Sequence, residues 1–289
     1  MTRFNSILIP LDGSPEAAKG AGCALWLAQT LGATLHVLHA TAQPLPGREA
    51  LARLRLPEPG RAQVVVHQLA ENAEAAVLET IAHHQIDLVV MSARGESASA
   101  GLALHQRVGT VAQAVIERSP VPVLLLPARY REALPWTSML VAASGEHAAD
   151  RALEAAAHLG AALRLKLTVV HCQDGPPRTG GAYADAPHHE YGRRLQEMLE
   201  RGLAGCSDEE CRCVEEMRLA RGEPGAALLE QVSRLGSSVL ALGWHGTLAA
   251  GRAPVLKRLL EEAECALLLL RSSERSSARL KVGSEIDER

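Results

Sequence analysis

The chain has 289 residues, 47% of them hydrophobic and 2% aromatic, with a net charge of −3. That length suits two domains of ordinary size. The balanced charge, the lack of a basic face and the scarcity of aromatic stacking platforms argue against a nucleic-acid partner. The longest apolar runs, residues 121–126 and 266–270, are strand-sized, well short of the roughly 20 residues a spanning helix needs. No signal peptide precedes the first strand, so a cytoplasmic protein with no membrane partner is expected.

Residues 7–11 form a continuously apolar run, the mark of a strand buried on both faces. Asp12-Gly13-Ser14-Pro15-Glu16 follows. This is turn chemistry leading into a helix: Ser14 can cap, Pro15 suits the first helical position and Glu16 favours the positive end. Ala21, Ala24, Leu25, Ala28 and Leu31 then define one apolar helix face, and Gly32 is a natural stop. Strands are expected at 35–38, 64–66, 88–91 and 121–126, and helices over 73–84 and 110–117. Pro127, Pro135 and the charged stretch between them interrupt the pattern.

The order then repeats. Ile7-Leu8-Ile9-Pro10-Leu11-Asp12-Gly13-Ser14 returns as Met139-Leu140-Val141-Ala142-Ala143-Ser144-Gly145-Glu146, and the block from Leu35 returns at Leu167 with the same spacing. Asp87–Ser92 matches Ser238–Gly243, and the segment from Gly109 to Leu126 matches that from Ala253 to Leu270. Collinear blocks separated by loops of unequal length indicate a duplication. Two domains, 1–130 and 136–272, are expected, followed by a polar, aperiodic tail at 273–289. The second half carries an added helix near 190–204.

Alternating strands and helices imply an α/β fold with a parallel sheet covered on both faces. The last strand of each half is too apolar to stand open at an edge. Residues 121–126 and 265–270 are therefore expected side by side and antiparallel, joining the halves as an internal pseudo-dimer. A homodimer of the whole chain is also compatible with the sequence.

Ligands of open α/β sheets bind at the carboxyl ends of strands where the strand order reverses. Two first-half loops carry suitable groups there: Asp12-Gly13-Ser14, and Ser92-Ala93-Arg94-Gly95 leading on to Gly109-Thr110. Glycines let backbone N–H groups approach phosphate, a helix N-terminus adds positive potential, Thr110 offers a hydroxyl and Arg94 a charge. No metal site is expected. Cys206, Cys211 and Cys213 lack paired short spacings and would need a distant fourth ligand such as His188 or His189. His83-His84 reads as a solvated helix end.

Ile-Leu-Ile-Pro-Leu-Asp-Gly-Ser at the front, Asp-Leu-Val-Val-Met-Ser-Ala-Arg-Gly in the middle and Gly-Thr-Val-Ala through Ser-Pro-Val-Pro-Val-Leu-Leu-Leu-Pro at the end together resemble a universal stress protein domain. Both halves carry the resemblance, making the chain similar to tandem members. It implies two tandem open five-stranded parallel sheets of order 3-2-1-4-5 with helices on both faces, the adenine-nucleotide-hydrolase-like architecture. It also implies an adenine nucleotide, ATP with Mg2+, in the first domain, bound within Gly-x2-Gly-x9-Gly-Ser/Thr and by an aspartate ending strand one. Asp12 matches that aspartate, Gly95 the second glycine and Gly109-Thr110 the final pair, while Ala40 matches a position whose backbone meets adenine. Ser92 stands in place of the first glycine, adding bulk beside the ribose, and thirteen residues rather than nine separate Gly95 from Gly109.

The second half departs further, with Ser144 for the aspartate and Ala253-Pro254 for Gly-Thr. Proline removes an N–H donor where phosphate would need one. Nucleotide is therefore expected in the first half alone. The resemblance implies a non-enzymatic stress-response sensor or interaction module. Slow hydrolysis of bound ATP is compatible with it, and the alternative is a nucleotide-independent scaffold. Neither Ser-Gly-Gly-x-Asp-Ser nor His-x-Gly-His occurs, which argues against the pyrophosphatases and nucleotidyl transferases of the same fold group.

Overall fold

The computed structural model describes residues 4–95, 108–131, 134–173 and 187–272; the tail at 273–289 lies outside them. The first half runs β1 (Ser6–Pro10), α1 (Pro15–Leu31), β2 (Thr34–Ala40), α2 (Gly47–Arg53), β3 (Gln63–Leu69), α3 (Ala73–His83), β4 (Leu88–Ser92), α4 (Thr110–Arg118) and β5 (Val123–Leu126). The second runs β6 (Ser138–Ala143), α5 (His147–Leu163), β7 (Lys166–Gln173), α6 (Pro187–Gly202) and α7 (Asp208–Cys211). It continues with β8 (Val214–Arg221), α8 (Pro224–Leu235), β9 (Val239–Trp244), α9 (Pro254–Glu262) and β10 (Ala266–Arg271).

Local chemistry sets the first helix as its residues allow. The Ser14 hydroxyl accepts from the Ala17 N–H, Pro15 sits at the helix start and Gly32 closes the other end in the left-handed conformation at φ 66°. Two short helices, α2 and α7, were not foreshadowed by any apolar period. The α7 turn is fixed by a reciprocal capping box between Ser207 and Glu210.

All ten strands join one sheet, in the order β3-β2-β1-β4-β5-β10-β9-β6-β7-β8. Each half keeps the 3-2-1-4-5 order, but the halves are not two separate sheets. They fuse where β5 and β10 pair antiparallel, with Leu125 opposite Leu267, Leu124 opposite Leu268 and Val123 opposite Leu269. These six residues are at most 2% exposed. Each apolar strand thus covers the other, removing the open edge that either would present alone.

Strand alternation sends side chains into two layers. Ile7, Ile9, Leu124, Met139, Val141 and Leu268 pack in a core with residues of α1 and α5. Leu8, Val89, Leu125, Leu140, Leu240 and Leu267 pack with residues of α3, α4, α8 and α9 on the other face. Each core draws on both halves, and each fully buried leucine contributes about 1.5–3 kcal/mol. Trp136, between the halves, meets Trp26 of α1 edge-on with ring centroids 5.1 Å apart.

Candidate functional site

In each half, strands one and four are neighbours, and a cavity opens at their carboxyl ends where the strand order reverses. The first-half cavity, about 140 Å³, brings together all seven residues singled out from the sequence: Asp12, Ala40, Ser92, Arg94, Gly95, Gly109 and Thr110. They come from four separate segments, and Leu38, Val77 and Met91 supply an apolar wall.

Asp12 occupies the turn after β1. Its Oδ1 accepts from the Ser14 N–H at 2.9 Å. Its Oδ2 faces Gly95, where a Cβ would come within 2.5 Å of that oxygen. Any side chain at 95 would displace the carboxylate, which explains a glycine there. The Gly109 N–H donates to the Ala93 carbonyl at 2.8 Å, so the two ends of the long loop are held together despite its length. Gly109 then starts α4 with no side-chain cap and no acid in the first turn. That helix end keeps its positive potential toward an anion.

Ser92 borders the same cavity. Its hydroxyl donates to the Ala17 carbonyl of α1 at 3.4 Å, so the side chain packs toward that helix as well as bordering the cavity.

The second-half cavity is larger, about 440 Å³, and chemically different. The Ser144 hydroxyl accepts from the Glu146 N–H at 3.4 Å, reproducing the Asp12 turn without its negative charge. Pro254 occupies the start of α9, preceded by Ala253 in the left-handed conformation at φ 48°. The Leu248 N–H, in the loop where phosphate would lie, donates to Glu117 Oε1 of the first half at 2.7 Å. At the mouth, His245 Nε2 and Glu146 Oε2 pair at 2.7 Å. Gly243 is fixed by packing, since a Cβ there would fall 2.0 Å from the Ala148 carbonyl oxygen.

One residue pair escaped the sequence reading. His39 Nδ1 lies 2.9 Å from the Leu11 carbonyl, and His171 Nδ1 lies 2.8 Å from the Ala143 carbonyl. A carbonyl only accepts, so each Nδ1 carries a proton and donates it there. Each histidine lines the cavity of its own half. The signal was available: both sit at the same place in the repeated second-strand block.

The cysteine cluster is also resolved. Cys206 lies near His158 and Glu210, while the side chains of His188 and His189 lie outside the described residues. Burial pushes the Cys206 thiol up to about 12 and the Cys213 thiol up to about 11, which keeps both protonated at neutral pH.

Fold and cavities together define a tandem doubly wound α/β protein with a crevice at each switch point. The Universal stress protein family model matches residues 3–127 and again 135–271. The chain belongs to that family, as a tandem two-domain member. A Universal stress protein from Thermus aquaticus is 34% identical over 140 residues, covering 43% of this chain and 98% of that protein. A putative universal stress protein from Pseudomonas aeruginosa shares the fold with a TM-score of 0.61 at 17% identity, covering 93% of this chain and 94% of that one. One from Archaeoglobus fulgidus shares it with a TM-score of 0.61 at 16% identity, covering 94% and 98%. Among the described residues no helix is long and apolar enough to cross a membrane.

Proposed function

We propose that the protein is a cytoplasmic stress-response sensor or interaction module whose first domain binds ATP or a related adenine nucleotide, with Mg2+ on the phosphates, and whose second domain is a structural partner. The observation that carries this reading is the convergence of Asp12, Arg94, Gly95, Gly109 and Thr110 on one switch-point cavity. In this arrangement adenine lies against the Ala40 backbone and the apolar wall, and ribose meets Asp12. The phosphates face Arg94, Gly95 and the start of α4. On this reading the chain acts by binding, with the described residues of the pocket supplying positioning groups.

Cavity size does not argue for the second half. Its roomier pocket lacks the aspartate and the α4-type donor end, and phosphate recognition depends on donors rather than volume. The nucleotide-independent scaffold has one observation in its favour: Asp12 is already engaged by the Ser14 N–H and packed on Gly95. Mass spectrometry of small molecules released on denaturing the purified full chain separates the readings. Adenine nucleotide at close to one per chain supports the sensor. Its absence, with no heat on titrating Mg-ATP, leaves the scaffold.

A further inference from the structure

Three histidines that play no part in the nucleotide reading meet at the outer edge of the first half. In the parallel pairing of β2 with β3, Leu38 stands opposite His67, so His67 shares the face of Leu38 and therefore of His36. α3 follows β3, and its C-cap residue is His84. His36 Nδ1 and His67 Nε2 are 2.9 Å apart. The His84 ring centroid lies 4.3 Å from that of His67 and 5.5 Å from that of His36. One ring nitrogen from each of the three lies within 4.8 Å of the others. A tetrahedral metal with bonds of about 2.0–2.1 Å holds its ligand nitrogens roughly 3.3 Å apart, so small ring movements suffice.

We propose that His36, His67 and His84 form a three-histidine site for a borderline divalent transition metal, Zn2+ foremost, with solvent in the fourth position. Imidazole nitrogens suit Zn2+ and its neighbours, whereas Mg2+ and Ca2+ require oxygen ligands. His36 is 8% exposed while His84 is exposed, so the site has a fixed floor and an open side. Bound metal would tie the edge strand β3 to β2 and α3. The sequence reading took His83-His84 as a solvated helix end; His83 does stay exposed, 3.4 Å from Glu79, but His84 belongs to this cluster.

The other cluster of this kind among the described residues, His158, Cys206 and Glu210, is a weaker candidate. Glu210 already closes the α7 capping box and meets His158 Nδ1 at 2.7 Å.

Co2+ titration of the full chain, followed by visible absorption and then displacement by Zn2+, tests the site. The expected result is one Co2+ per chain with tetrahedral bands, and a higher Tm with Zn2+. His67→Gln and, on the exposed side, His84→Gln should each weaken binding by at least about tenfold. His83→Gln and Cys206→Ser should leave it unchanged. No stoichiometric Co2+ binding by the full chain, or binding lost with Cys206→Ser and retained with His84→Gln, would overturn the proposal.

Discussion

The two crevices of this molecule share a backbone plan and differ in chemistry. Both begin with a strand end, a glycine with positive φ (Gly13 at 85°, Gly145 at 81°) and an oxygen accepting from the N–H two residues on. Both set a histidine Nδ1 on the carbonyl of the first strand's end. These repeated features are the structural requirements of the turn. What differs is the surplus: Asp12 has a second carboxylate oxygen where Ser144 has none, and Thr110 has an N–H where Pro254 has none. Comparing the halves thus separates the residues that shape a crevice from those that would bind in it.

The join between the halves should show the largest effect. Leu124 and Leu268 face each other across β5 and β10, both 0% exposed. Leu124→Lys places a charge in an apolar core built by both halves. It should cost at least about 4 kcal/mol in chemical denaturation, or prevent folding. A first half expressed alone, residues 1–131, should self-associate through the uncovered β5. A stable monomer at high concentration would contradict the edge argument.

Next comes the exchange of crevice residues. Asp12→Ser imports the second half's solution, so the turn should survive with little change in Tm. Nucleotide affinity should fall by about five- to 150-fold, the equivalent of one lost hydrogen bond of roughly 1–3 kcal/mol. Calorimetry of the unaltered chain should give one nucleotide per chain. Two equivalent sites, or an Asp12→Ser variant that loses stability but keeps its affinity, would assign Asp12 to the turn alone.

The reverse import tests packing. Gly243→Ser puts a side chain into the Ala148 carbonyl and should destabilise by about 1–3 kcal/mol. Ser92→Gly, giving the first half the family's glycine, loses only the hydrogen bond to Ala17 and should cost about 1 kcal/mol or less. Equal costs would mean that α1 and α5 approach the sheet equally closely, contrary to the geometry.

Much of this was legible in the sequence because it is carried by contiguous signals. The apolar strands, the Ser14-Pro15-Glu16 start and the two terminal strands that had to cover each other could all be read locally. The convergence of Asp12 with Gly95 and Gly109 needed only the rule for switch points. The fusion into one sheet was readable as a pairing, though two sheets were the expected description. What escaped depends on register or on short-range capping. α7 is too short for a period, although Ser207 and Glu210 carry the capping-box spacing. His36, His67 and His84 stand far apart in sequence and meet only because β2 pairs with β3 in one register and α3 ends beside them.

The smallest expected effect concerns a feature confined to the second half. α5 carries His158 where α1 carries Trp26, and His158 meets Glu210 of the α7 capping box. Donation from the Ser207 N–H, with smaller help from His158, holds the Glu210 carboxyl down at about 2, below the usual 4.5. A lowered carboxylate pKa means that the folded state favours the ionised form. The associated stability is fully present above about pH 4.5 and is lost as pH falls toward about 2. Because the group borders solvent, the contribution should stay below about 1 kcal/mol. Urea denaturation of the full chain and of Glu210→Gln at several pH values isolates it. The variant should be less stable near neutrality, and the gap should close across that acid window. A gap independent of pH would mean that the glutamate acts there through shape alone, leaving the second half no acid-sensitive clamp that the first half lacks.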